Sequence, residues 1–119
     1  MLKTDVDGFD YDVIDSAEQL LTNQHPMIFF ECFYNAFYQM VGFKKTIGWL
    51  NEIGYVNYTV FDNFGQVIVR TDDIEQVFQL MNYVWQQNTN LATRTIAYYD
   101  ILAITESDIC LINNVLSDY

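Results

Sequence analysis

Three aspartates in LKTDVDGFDYDVI (residues 2–14), Asp5, Asp7 and Asp10, and the glutamate that ends PMIFFE (residues 26–31), Glu31, are the side chains best suited to chemistry. Carboxylates brought together can hold a divalent cation, or orient and deprotonate a hydroxyl. A calcium loop of the EF-hand type is excluded by spacing. Counted from Asp5, the third and sixth positions are Asp7 and Asp10, so Gly is missing at the sixth, and no Glu stands at the twelfth. Two readings stay open. Asp5, Asp7 and Glu31 form a metal or substrate site, or Asp5 caps turn amides while Asp7 is solvated.

Other chemistries are poorly supplied. His25 is the only histidine, and it precedes Pro26, which reads as a turn. One His with no Cys pair nearby excludes a standard zinc site. No nucleophile elbow, G-x-G-x-x-G or P-loop occurs. Cys32 and Cys110 are too few for a disulfide framework and read as reduced, buried small hydrophobes in a cytoplasmic protein.

The elements that must position these acids follow from pattern. Residues 2–6 read as a short strand broken by Gly8. Asp10 is placed to cap a helix over residues 11–23, with Asp12 in its first turn. Val13, Ile14, Ala17, Leu20 and Leu21 recur at helical spacing along it. Residues 27–33 are apolar but for Glu31, as in a strand covered on both faces. Residues 34–42 read as an aromatic loop, and residues 43–53 as a short helix stopped by Gly54. Residues 55–61 and 66–70 read as strands joined by the DNFG turn. Asp72 and Glu75 suggest a capping box opening a helix to about residue 88. A polar linker over 88–93, a strand over 96–104 and a helix over 107–116 complete the chain.

This alternation predicts one α/β domain with a mixed, mostly parallel sheet flanked by helices. In such sheets chemistry sits at the carboxyl ends of strands, where Asp5, Asp7 and Glu31 fall if the first two strands are neighbours.

Composition narrows the function. The chain has 119 residues, 51% hydrophobic and 17% aromatic, enough for a core. A net charge of −11 argues against nucleic acid and anionic membrane surfaces as partners. The longest apolar run, residues 27–30, is far too short to span a bilayer, and no leader pattern opens the chain.

The opening resembles the FkbM-type methyltransferases. Their pattern there is roughly K-x-D-V-[DEQ]-G-x-E after a strand start, then a helix, then a strand ending in F-E. Lys3, Asp5, Val6, Asp7, Gly8 and Asp10 match the first part, and residues 26–31 the second. Residues 50–65 and 98–104 resemble the family's later strands. Asp10 stands where the family usually has Glu, and Ser16 where a helix Gly is common. The resemblance implies a partial Rossmann-like methyltransferase fold and transfer of a methyl from S-adenosylmethionine to a hydroxyl of a sugar or small metabolite. Asp5 would lie nearest the methyl, with Asp7, Asp10 and Glu31 in support. The matched region is the C-terminal half of that domain, and the family's glycine-rich cofactor loop and ribose-holding acid precede it. The expected strand order is first, second, last, third, with the last antiparallel and the strand at residues 66–70 outermost. The first strand's free edge would then favour a homo-oligomer. The alternative is a non-catalytic binding or assembly module derived from the same fold.

Overall fold

The computed structural model describes residues 1–5, 8–34, 36–90 and 98–116. Five strands form one sheet: β1 Leu2–Thr4, β2 Ile28–Cys32, β3 Tyr55–Phe61, β4 Val67–Thr71 and β5 Tyr99–Thr105, in the order β1-β2-β5-β3-β4. Five α-helices flank it: α1 Asp10–Ser16, α2 Glu18–Gln24, α3 Phe37–Glu52, α4 Ile74–Asn90 and α5 Ile109–Leu116, the last preceded by a 3-10 turn at Glu106–Asp108.

The α/β class and the mixed sheet between helices agree with the sequence pattern. The balance of pairings differs from it. Only β1 and β2 pair in parallel, while β5 is antiparallel to both β2 and β3, and β4 is antiparallel to β3. β1, β2 and β3 still run in one direction. The last strand enters between β2 and β3 and converts what would be parallel neighbours into two antiparallel pairs.

Side-chain alternation explains how the sheet is covered. On β2, Ile28, Phe30 and Cys32 enter the main core, which α1, α2, α3 and α4 close with Ile14, Leu21, Phe43, Ile47 and Met81. Phe29 faces the other way, toward a smaller cluster of Phe61, Leu102 and Ile104 to which α5 contributes Ile109. Hence residues 27–33 are apolar but for Glu31: both faces are covered. Phe43 is the hub of the main core, its ring 5.1 Å from Tyr11, 6.2 Å from Tyr34 and 6.3 Å from Phe30.

Several boundaries move. The helix expected over residues 11–23 is two helices, broken at Ala17, whose φ of −97° and ψ of 21° leave the helical region. The aromatic segment read as a loop belongs largely to α3, which begins at Phe37. The Gln39 side chain accepts a hydrogen bond from the Ala36 N–H at 3.1 Å, fixing that start, and Gly42 lets the helix lie against the Tyr11 ring. α4 is opened not by an Asp72–Glu75 box but by Asp73, whose carboxylate accepts the Glu75 N–H at 3.0 Å. Cys32 is buried as expected, whereas Cys110 is exposed, since α5 turns that side outward; both are free thiols. β5 begins at Tyr99, later than expected, and residues 96 and 97 lie outside the described residues. Among the described residues no helix is long and apolar enough to cross a membrane.

Candidate functional site

β1 and β2 run in parallel with Thr4 beside Phe30, so Asp5 and Glu31 come next to each other at their carboxyl ends. Their carboxyl groups share a hydrogen bond. Asp10 joins them from α1. It is fully buried and begins that helix without capping it, since Phe9 occupies the N-cap position. Its carboxylate accepts the Glu31 N–H at 3.1 Å. The expected cap therefore serves β2: the strand outruns β1 by two residues, and Asp10 takes up a backbone donor beyond the point where β1 ends. Asp7 lies outside the described residues.

A fourth carboxylate was not foreseen. Asp100 of β5 stands directly across from Glu31 in the antiparallel register. Its signal was an acid inside the apolar strand YYDILAI. Reading it required knowing that β5 pairs with β2, which follows from topology and not from local pattern. Tyr98 and Phe33 flank the group, their rings edge to face at 6.4 Å.

The electrostatics follow from crowding of like charge. Burial raises the Glu31 carboxyl first, the hydrogen bond with Asp5 next, and then the charges of Asp5, Asp10 and Asp100, to a pKa of about 8. Asp100 is also raised, by burial and by Asp5 and Asp10, with Lys3 opposing. Around neutrality the cluster therefore holds a proton that it can give up or take back. Among the described residues this cluster does not make a group that could hold a metal ion.

Gly8 makes the turn between β1 and α1, with φ at +91°. Gln39 closes over it, donating from Nε2 to the Gly8 carbonyl at 3.3 Å. A Cβ at Gly8 would sit 2.5 Å from that Nε2. Gly8→Ala is expected to destabilise the fold by about 2 kcal/mol, from left-handed backbone strain and loss of the Gln39 contact. Thermal unfolding of the variant checks it, and an unchanged Tm would refute it.

His25 is a connection residue, as its place before Pro26 suggests, with φ at +48° and Nε2 2.9 Å from the Ile53 carbonyl. It lies at the opposite end of the strands from the acids. There it lines a cleft of about 480 Å³ with Gln24, Gly54, Thr105, Glu106, Ser107 and Asp108.

No family model, curated protein or solved structure matches the chain.

Proposed function

We propose that this chain is the acceptor-side part of an FkbM-type O-methyltransferase dependent on S-adenosylmethionine, acting on a hydroxyl of a sugar or small metabolite. One observation carries the reading. The order β1-β2-β5-β3-β4, with β5 antiparallel inside the sheet, is the arrangement the resemblance implies. The carboxylates gather where a parallel strand pair places chemistry.

The described residues fit only part of the cofactor. A cluster of carboxylates suits a cationic sulfonium nearby, but nothing here cradles a nucleoside. The Gly8 turn is filled by Gln39 and leaves no such space. The chain's own contribution is to the acceptor: the Asp5–Glu31 pair orients a hydroxyl and accepts its proton as the oxygen becomes nucleophilic. Asp10 anchors the Glu31 backbone, and its charge and that of Asp100 raise the proton affinity of Glu31.

The filled Gly8 turn also favours a second reading, a non-catalytic assembly module. β1 stands at the end of the strand order. A second copy adding a strand to its outer edge would make a homo-oligomer. Unpaired Cys32 and Cys110 suit a reducing, cytoplasmic compartment.

The test is methyl transfer from labelled S-adenosylmethionine to hydroxylated acceptors, using the longest form of the protein that its gene encodes. Transfer is expected, and Asp5→Asn should lower turnover at least about tenfold, a modest share of what a positioned base supplies. No transfer, or undiminished turnover in Asp5→Asn, overturns the enzymatic reading.

A further inference from the structure

The first turns of α3 expose large apolar side chains to a degree seldom left without purpose. Phe37 is 61% exposed, Tyr38 62% and Val41 48%, and Phe9, just before α1, is 41% exposed. They share one rigid surface. Phe9 lies 6.3 Å from the Tyr11 ring, and Tyr38 is close enough to raise the Tyr11 phenol. Phe37 meets Trp85 edge to face at 6.0 Å. Tyr11 in turn fills the space beside Gly42, its ring 2.6 Å from where a Cβ would sit, which locks α1 to α3 beneath the patch. Contiguous aromatic surface of this kind marks an interaction site.

Charge selects the occupant. Asp12 and Asp15 act on the same Tyr11 phenol and are exposed on α1 beside the patch. Of the nearby cations, Lys44 is turned away, donating to the Asn82 side chain at 2.7 Å. Lys45 lies a full helical turn beyond Val41, in a cleft with Asp15, Glu18 and Trp49, where Asp15 also accepts the Thr46 hydroxyl at 2.9 Å, so that Lys45 and Asp15 offset each other and Asp12 is the acid left beside the patch. A second copy would bring one acidic rim against another at −11 each, and an anionic bilayer would be repelled in the same way.

We infer that the Phe9–Phe37–Tyr38–Val41 face docks a basic, amphipathic segment of another protein, its apolar side chains against the rings and its Lys or Arg side chains against Asp12. This does not depend on the methyltransferase reading.

The probe is a synthetic amphipathic helical peptide of Leu and Lys, with a Leu–Glu counterpart as control, titrated calorimetrically into the whole chain. In a Trp49→Phe background, Trp85 fluorescence gives a second readout beside Phe37. The Leu–Lys peptide should bind with a blue shift of Trp85, weaken as salt rises, and outbind the Leu–Glu peptide. Phe37→Ser with Tyr38→Ser should weaken it at least about fivefold. Leu111→Ser, at an exposed apolar residue on α5, should not. Equal binding of both peptides, a double variant weakened less than that, an equal loss in Leu111→Ser, or self-association that buries the patch overturns the inference.

Discussion

Truncation of Phe43 to Ala is expected to lower the unfolding free energy by about 4 kcal/mol, within the range seen when a fully buried Phe is removed. Phe43 has no solvent exposure and joins rings from three other segments: Tyr11 from α1, Phe30 from β2 and Tyr34 from the connection that follows β2. None of these can collapse inward without giving up a contact of its own. Tyr11 is pinned beside Gly42, and Tyr34 donates its hydroxyl to the Met81 carbonyl of α4. The hole therefore stays largely open, and the loss is a large share of the 5–15 kcal/mol a domain of this size holds in reserve. Urea denaturation should show the midpoint falling with an unchanged slope. A loss below about 2 kcal/mol would mean that the aromatic hub is less tightly determined than its geometry implies.

Stability should also fall as pH rises from about 4.5 to 8, and Glu31→Gln should remove most of that fall. Glu31 is raised from 4.5 to about 8, so the folded chain binds a proton there that the unfolded chain has released. Its contribution is fully present below the unfolded value and is lost as pH passes through the folded value. Left unscreened, that rise would be worth nearly 5 kcal/mol at ~1.4 kcal/mol per pH unit. Glu31 is part-exposed, so about 2 kcal/mol is the expected gain of Glu31→Gln at pH 9, shrinking to near zero at pH 4. Asp100 is raised in the same sense and adds to the fall. Tm measured against pH for both proteins decides it. Parallel curves would remove Glu31 as the source.

The carboxylate site was legible where it is local and illegible where it is not. Asp5 and Glu31 announce themselves because strand ends are visible in the apolar runs before them, and one parallel pairing brings them together. Asp10 shows a helix start, but its burial and its bond to Glu31 depend on how far β2 outruns β1. Asp100 lies 69 positions after Glu31, counted from their numbers in a register only the sheet order reveals. The fold divides in the same way. The run at residues 27–33, apolar but for Glu31, gives a strand covered on both faces. The aromatic residues 34–42 read as irregular because Phe and Tyr favour strands, yet the Gln39 contact and packing against α1 make residues 37–42 helix. A mostly parallel sheet is the natural inference from alternating elements, and only the insertion of β5 reverses the balance.

That insertion governs how the chain can be made. β5 is the last of the five described strands in chain order and the middle strand of the sheet, and every route from β1–β2 to β3–β4 passes through it. Until residues 99–105 leave the ribosome, the nascent chain is two hairpin-sized pieces with their inner edges bare. Completing the sheet means joining Ile28 to Ala103 and Phe29 to Leu102 across most of the chain. Contacts so distant in sequence make for slow, late and all-or-none closure. A ribosome stalled before Tyr99 would thus hold a sticky intermediate, and the sheet closes only once residues 99–105 have cleared the exit tunnel.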